Sequence, residues 1–202
     1  ICPSGDRFLS GAADGSVAHW QVGSPLPLWL VGAHKSWVTH IALSPDGRQA
    51  LSSGDDGLVL LWDLTLGTRR PAPLPRTVLD DVTPWLQAAL CAFLDDQTFL
   101  AIRGGICGCV DLRSESERWS KTGLGHGQLR AHSHASDLDH APQVGRFLVG
   151  GDSKQEIKVW DAADGCVRFT FQVPGAVRAV ALSADGATAV VSDAQGRLVG
   201  FD

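Results

Sequence analysis

Three side chains between positions 34 and 56 have the types that a hydrolytic site requires. A serine nucleophile needs a base to accept its proton and an acid to orient that base, and Ser53, His34 and Asp56 supply these types. The sequence around Ser53 is LSSGDD, which lacks the Gly-X-Ser-X-Gly turn that exposes a nucleophile at the end of a strand. We therefore predict that no residue is catalytic and that the chain is not an enzyme.

A second group of reactive side chains lies in the His-rich segment 126–140. Imidazole and carboxylate groups are ligands for divalent metals if a loop brings them together. The segment carries His126, His132, His134, Asp137, Asp139 and His140. It contains neither the HExxH motif nor a phosphate-binding GxxxxGK[ST] loop, and polar loops also accumulate histidine without a site. We predict no metal and no cofactor. The alternative is a metal-binding or enzymatic protein that uses loop 126–140.

The cysteines give no strong signal for a metal or redox site. They stand at Cys2, Cys91, Cys107, Cys109 and Cys166. Their number is odd and no CxxC pair occurs, so the simplest interpretation is small, buried, reduced side chains. Cys107 and Cys109 would share one face of a strand, which leaves a metal or redox role as the weaker alternative.

The elements that must position these residues recur along the chain. The segment GLVLLWD at 57–63 is an apolar run that follows a tight turn and ends in Trp-Asp. Related segments end at Trp20, Trp62, Val110, Trp160 and Phe201, which are 42, 48, 50 and 41 residues apart. This spacing is close to the period of about 40–45 residues typical of four-stranded propeller blades. It predicts five repeats with approximate bounds 1–31 (partial), 32–75, 76–124, 125–173 and 174–202 (partial).

A second pair of similar segments supports a strand-rich repeat. Residues 38–47 read VTHIALSPDG and residues 177–186 read VRAVALSADG. Alternating apolar residues followed by Asp-Gly are typical of a strand that ends in a hairpin turn. Segment 85–94 is rich in Ala and Leu, so a helix is an alternative there, but its place in the repeat favours a strand.

These features resemble the WD-repeat (WD40) β-propeller family, whose repeats open with Gly-His and close with Trp-Asp. Ala33-His34 precedes Trp62-Asp63 by 28 residues, and Ala131-His132 precedes Trp160-Asp161 by the same distance. The resemblance implies an all-β propeller of four-stranded antiparallel blades. Because the first and last repeats are incomplete, we expect a fragment of a larger propeller, for which seven is a candidate blade number. A self-contained five-bladed ring is the alternative.

The resemblance also assigns structural and binding roles to individual residues. His34, Ser53, Asp56 and Trp62 match the family's hydrogen-bonded structural tetrad, and Ser10, Asp14 and Trp20 match three of its members in the first repeat. The family's partner-binding positions fall on Trp37, Thr39, Asp55 and Arg178. Ala13 and Ala176 hold matching positions, as do Gln87 and Asp137 by a looser alignment. Packing between blades is the alternative role for Trp37.

The resemblance thus implies a non-catalytic scaffold that binds a protein or peptide on the propeller face. With 22 acidic and 17 basic residues the net charge is −5, which disfavours nucleic acid as a partner. No apolar run reaches the roughly 18 residues of a membrane span, so we expect no membrane association and a cytoplasmic location. Additional domains of the same parent chain are further candidate partners.

Overall fold

The computed structural model describes residues 4–74, 90–103, 106–122, 135–141, 144–151 and 155–202. Eighteen β-strands occur in these ranges, and none of their residues lies in an α-helix. The strands are β1 (Arg7–Gly11), β2 (Ser16–Gln21), β3 (Trp29–Gly32), β4 (Val38–Leu43), β5 (Gln49–Gly54), β6 (Val59–Asp63), β7 (Thr68–Pro71), β8 (Leu90–Asp95), β9 (Thr98–Arg103), β10 (Ile106–Asp111), β11 (Ser116–Thr122), β12 (Ala135–Ala141), β13 (Arg146–Gly151), β14 (Glu156–Asp161), β15 (Val167–Gln172), β16 (Val177–Leu182), β17 (Ala189–Asp193) and β18 (Leu198–Phe201). Within the described ranges, no helix has the length and apolar content needed to cross a membrane.

The strands form antiparallel sheets in chain order, which we call blades 1 to 5. Blades 2, 3 and 4 have four strands each and comprise β4–β7, β8–β11 and β12–β15. Blade 1 comprises β1–β3 and blade 5 comprises β16–β18. The predicted all-β fold with four-stranded antiparallel blades is confirmed. In blade 1 the pair Phe8–Trp20 matches the pair Ala50–Trp62 of blade 2, so β1 corresponds to the second strand of a complete blade.

The two SxDG segments form the same hairpin turn. Gly47 and Gly186 have φ values of 68° and 66°, which glycine adopts without strain. In blade 2, Ser44 Oγ donates to Asp46 at 2.6 Å and accepts the N–H of Gln49 at 2.9 Å. The equivalent Ser183 makes the same two bonds in blade 5. The hairpins expected from the Asp-Gly pairs are therefore present, each with a serine that links its two strands.

The hydrophobic core lies between successive blades. Val59 and Leu61 on β6 pack with the side chains of blade 3, whereas Leu60 and Trp62 pack with those of blade 1. A strand that is buried on both faces needs an unbroken apolar run, because its side chains alternate between the two faces. This explains the sequence VLLW, whose four residues are all buried.

Aromatic side chains on outer strands contact the next blade. Trp29 of blade 1 stacks on Trp62 of blade 2, with ring centroids 5.0 Å apart. Trp119 of blade 3 stacks on Phe147 of blade 4 at 6.1 Å. Phe171 of blade 4 lies 4.8 Å from Phe201 of blade 5. Aromatic pairs at these distances add to the energy of area burial, so they help to fasten neighbouring blades together.

The structure corrects one sequence-based prediction at blade 4 and confirms part of another at blade 3. Residues 135–141 form the innermost strand β12, so the predicted His-rich loop 126–140 is wrong over its last part. Leu138 and Ala141 are buried there, and Asp139 Oδ2 accepts the N–H of Leu182 in blade 5 at 2.7 Å. In blade 3, Leu90–Asp95 is strand β8, so the strand favoured for segment 85–94 is confirmed over its described part and the alternative helix is not found there. Residues 85–89 lie outside the described residues.

Candidate binding platform on blade 2

A buried hydrogen-bonded chain links the loop before β4 to the second and third strands of blade 2. Trp62 Nε1 donates to Ser52 Oγ at 2.9 Å. His34 Nε2 lies 2.9 Å from the same hydroxyl oxygen, and His34 Nδ1 lies 3.0 Å from Asp56 Oδ1. One consistent proton arrangement has Ser52 donating to Nε2 and Nδ1–H donating to Asp56. Each buried polar group then has a partner.

The serine in this chain is Ser52, so the assignment of Ser53 to the tetrad was wrong. Strands β5 and β6 pair Ala50 with Trp62 and Ser52 with Leu60. Side chains alternate between the faces of a strand, so Ser52 shares the face of Trp62. Ser53 lies on the opposite face, where Thr39 Oγ1 is 3.3 Å from its hydroxyl oxygen.

The electrostatics of Asp56 fit a structural group. Burial acts to raise the pKa of Asp56, but hydrogen bonds from Lys35 N–H, His34 and Leu58 N–H outweigh it and hold this pKa below its usual value. The carboxylate is therefore ionised at neutral pH. The side chains of His34 and Ser52 are closed to solvent, so a substrate cannot reach them.

The other blades contain only parts of this arrangement. In blade 1, Trp20 Nε1 donates to Ser10 Oγ at 2.9 Å, and Asp14 accepts the N–H of Ser16 at 2.9 Å. In blade 4, Trp160 Nε1 is buried and has no hydrogen-bond partner among the described residues. The β13–β14 register places Val149 at the position equivalent to Ser52, and valine has no hydroxyl group.

The loop 33–38, which precedes and enters β4, is held by backbone hydrogen bonds to blade 1. The N–H groups of Ala33 and His34 both donate to the carbonyl of Gly15, at 3.0 Å each. Val38 N–H donates to the carbonyl of Ala12 at 3.1 Å. Gly15 has a φ of 83°, and a Cβ there would lie 2.2 Å from the His34 carbonyl oxygen. This glycine was not predicted as a site residue, although Asp14-Gly15 repeats as Asp56-Gly57 in the sequence.

Blade 2 itself holds the same loop at two further points. Lys35 N–H donates to Asp56 Oδ2 at 2.8 Å, and Asp55 N–H donates to the carbonyl of Trp37 at 2.9 Å. The side chain of Trp37 is nevertheless 63% exposed. The loop therefore presents a large aromatic side chain to solvent on a fixed backbone.

The structure brings some of the predicted binding residues together. Trp37 and Asp55 are neighbours through their backbone bond, while Thr39 donates its hydroxyl to the Ser53 carbonyl at 3.2 Å. Arg178 is exposed on β16 of blade 5. The carbonyl of Ala176 accepts the N–H of Ala194 at 2.8 Å, as that of Trp37 accepts Asp55 N–H, so these positions are equivalent. Gln87 lies outside the described residues, and the side chain of Asp137 on β12 is not described.

The side chains considered for metal binding do not form a described site. His126, His132 and His134 lie outside the described residues, as does the side chain of His140. Cys107 and Cys109 are buried between blades 3 and 4, where burial raises the pKa of Cys109 to about 12 and that of Cys107 well above its usual value. Across the described ranges, no three His, Cys, Asp or Glu side chains are grouped so that they could hold a metal ion.

Comparison with known proteins agrees with this architecture. Residues 26–63 match the family described as WD domain, G-beta repeat. The chain is similar to nuclear distribution protein PAC1 of Arthroderma otae, with 36% identity over 63 residues, which are 31% of this chain and 14% of the relative. It is also similar to small ribosomal subunit protein RACK1y of Oryza sativa subsp. japonica, with 38% identity over 65 residues, 32% of this chain and 19% of the relative.

A longer alignment covers most of the chain. Cilia- and flagella-associated protein 52 of Sus scrofa is 24% identical over 194 residues, which are 90% of this chain and 29% of the relative. In each of these three comparisons the chain spans less than a third of the relative's length. The resemblance seen in the sequence is confirmed by the family match and by the repeated antiparallel sheets. Residues 26–63 thus match a WD repeat, and the chain as a whole resembles the WD-repeat β-propeller family in its repeated antiparallel blades.

Proposed function

We propose that this chain is a non-catalytic scaffold that binds a protein or peptide at the end of the blades where loop 33–38 enters β4. The observation that carries this proposal is the exposed Trp37 side chain on a backbone with bonds to Gly15, Ala12, Asp55 and Asp56. A rigid aromatic anchor loses little conformational entropy on binding, and tryptophan is enriched among residues that dominate interface energies.

The comparisons support the class of function. The similar protein RACK1y is, by its name, a protein of the small ribosomal subunit. A scaffold role also fits blade 2, because the polar groups of Trp62, Ser52, His34 and Asp56 form hydrogen bonds with one another. We extend the proposal to Thr39, Asp55 and Arg178 as contact residues. We also propose a cytoplasmic location, because Cys91, Cys107, Cys109 and Cys166 are free thiols.

Site-specific photo-crosslinking tests this function. A benzophenone amino acid replaces Trp37 in the full chain, and a matched probe replaces Leu66, which is 74% exposed in the turn at the opposite end of blade 2. After irradiation in extract from the source cells, crosslinked proteins are identified by mass spectrometry. Unlabelled wild-type protein is added as competitor, and a Trp37→Ala, Arg178→Ala competitor is the control.

We expect one partner to crosslink at position 37 and not at position 66. Wild-type competitor should remove this product, and the double variant should compete at least about tenfold less well, which is the effect of losing about 1.4 kcal/mol of binding energy. Equal crosslinking at both positions, or equal competition by the two proteins, would contradict the proposed surface.

A further inference from the structure

The side chains of Trp37 and Asp55, on the proposed binding surface of blade 2, have no partner within the described part of the protein. No aromatic ring stacks on Trp37 and no cation lies over its indole there. In the same ranges, no ion pair or side-chain hydrogen bond engages the carboxylate of Asp55. An exposed indole and an unpaired carboxylate are therefore carried by two residues that a backbone hydrogen bond joins.

Other acidic groups at this end of the blades, in blade 2 and elsewhere, are already engaged. Asp14 accepts the N–H of Ser16, and Asp56 accepts bonds from His34, Lys35 and Leu58. In blade 5 the Asp193 carboxylate binds Arg197 Nε at 2.6 Å. Asp55 differs from these because its side chain contributes nothing to the turn that carries it.

The backbone places Asp55 and Trp37 at opposite positions just beyond the paired ends of β4 and β5. Val38 pairs with Gly54, and Asp55 N–H donates to the Trp37 carbonyl in the next step. Side chains of such cross-strand neighbours begin about 4.5–5.5 Å apart. A ligand group that touches the indole face is therefore within reach of the carboxylate.

We propose that Trp37 and Asp55 together receive the cationic side chain of an arginine or lysine of the partner protein. A tryptophan face attracts a cation through its ring quadrupole, and a carboxylate adds a charge-assisted hydrogen bond to a guanidinium or ammonium group. The inference rests on the proposed function, because it specifies what the partner presents to that surface.

The charge of the molecule agrees with this partner chemistry. The formal net charge of −5 favours the approach of a basic segment. Lys35, the nearest basic residue before Trp37 in the sequence, uses its backbone N–H to bind Asp56, and its ammonium forms no ion pair with Asp55 in the described ranges. Lys35 therefore does not fill the binding position.

Nuclear magnetic resonance titration of the ¹⁵N-labelled full chain tests the inference. The probes are N-acetyl-arginine methylamide, its lysine analogue and N-acetyl-citrulline methylamide, which has nearly the shape of arginine but no charge. The indole N–H signal of Trp37 is assigned from its loss in Trp37→Phe, and dissociation constants are obtained from its shift. Asp55→Asn is compared with Asp202→Asn, which removes the same charge at an exposed position of blade 5's end.

We expect both cationic probes to shift the Trp37 signal and to bind at least about fivefold more tightly than the citrulline probe, the ratio that about 1 kcal/mol provides. Asp55→Asn should weaken the arginine probe by a similar factor, and Asp202→Asn should leave it unchanged. Equal binding of arginine and citrulline, no shift at Trp37, or equal effects of the two Asn variants would overturn the inference.

The outcome is separate from that of the proposed function. If a partner crosslinks to the probe at position 37 with equal yield whether residue 55 is Asp or Asn, the scaffold proposal stands and the cation proposal fails. If no partner crosslinks, the proposed scaffold function is contradicted, whatever the result of the titration.

Discussion

Ser52 and Ser53 are adjacent and fully closed to solvent, yet only one of them holds the tetrad together. Replacing Ser52 with alanine leaves His34 Nε2 and Trp62 Nε1 without their shared partner. An unsatisfied buried polar group costs about 1–3 kcal/mol, so we expect Ser52→Ala to lower the free energy of unfolding by about 2–4 kcal/mol. Urea unfolding followed by tryptophan fluorescence measures this change.

Ser53→Ala is the matched control for that prediction. Its hydroxyl faces the apolar contact with blade 3 and interacts with Thr39, so its loss should cost about 1 kcal/mol. A larger effect at Ser53 than at Ser52 would mean that the Trp62–Ser52–His34 chain does not stabilise blade 2.

His19 gives blade 1 a dependence on pH. Its side chain is 2% exposed, its Nε2 has no partner among the described residues, and its ring lies 5.4 Å from that of Trp29. Burial and then the charge of Arg7 lower the pKa of His19, against a smaller raising effect of Asp6. The unfolded chain therefore binds this proton more readily, and the associated stability is lost as pH falls below about 6.5.

Unfolding free energies measured between pH 8 and pH 5 test this dependence. We expect His19→Leu, which cannot titrate, to have a shallower fall in stability below pH about 6.5 than the wild type. For each protein the unfolding free energy at pH 8 serves as the reference, so the effect of the substitution on packing cancels. Parallel curves for the two proteins would exclude His19 as a source of the pH dependence.

At the scale of strands, the aromatic contacts between blades contribute measurably to the free energy of unfolding. Trp119 on β11 stacks on Phe147 and donates Nε1–H to the carbonyl of Ala162 in blade 4 at 2.9 Å. Trp119→Ala should lower the free energy of unfolding by about 3 kcal/mol, because it removes a large ring and a hydrogen bond from the interface. Trp37→Ala removes a tryptophan side chain that is exposed to solvent, so it should change the free energy of unfolding by no more than about 0.5 kcal/mol.

Thermal unfolding followed by circular dichroism compares these two variants under one set of conditions. The comparison also verifies that the Trp37 variant used in binding experiments remains folded. Destabilisation of similar size in both would show that Trp37 packs between blades, as its alternative role in the sequence analysis requires.

The strands that the sequence revealed best are those whose pattern repeats. The segments VLLW and IKVW end in tryptophan at regular spacing, and both form third strands of their blades. Strand β12 was missed because its sequence ASDLDHA is polar. Its Asp139 is satisfied by the Leu182 N–H of the next blade, a contact between residues 43 positions apart that local pattern does not reveal.

The tetrad assignment failed by one residue for a related reason. Family spacing alone did not distinguish Ser52 from Ser53, whereas the β5–β6 register does so because a shift of one residue reverses the face. The Asp56-Gly57 turn sets this register. Counting alternate strand positions back from the turn could therefore have identified Ser52 from the sequence. The exposure of Trp37 depends on what surrounds loop 33–38 and required the structure.

At the scale of the whole molecule, each pair of neighbouring blades has its own hydrophobic core, and these cores can open together or one at a time. Cys91 lies in the core between blades 2 and 3, and Cys107 and Cys109 lie in the core between blades 3 and 4. Burial raises the pKa of Cys91 to about 12, so its thiol reacts only when the core opens. Cys166 is exposed and provides an internal reference for reagent activity.

We expect Trp119→Ala to accelerate iodoacetamide labelling of Cys107 and Cys109 at least about tenfold more than that of Cys91, because stacked repeats are coupled mainly to their neighbours. Peptide mass spectrometry at pH 8 without denaturant measures the rate at each thiol. Equal acceleration at Cys91 and Cys107 would mean that the blades open as one unit. In that case the Trp119 contact would contribute to a single global stability, and its loss would weaken the Trp37 platform of blade 2 as much as the interface that contains it.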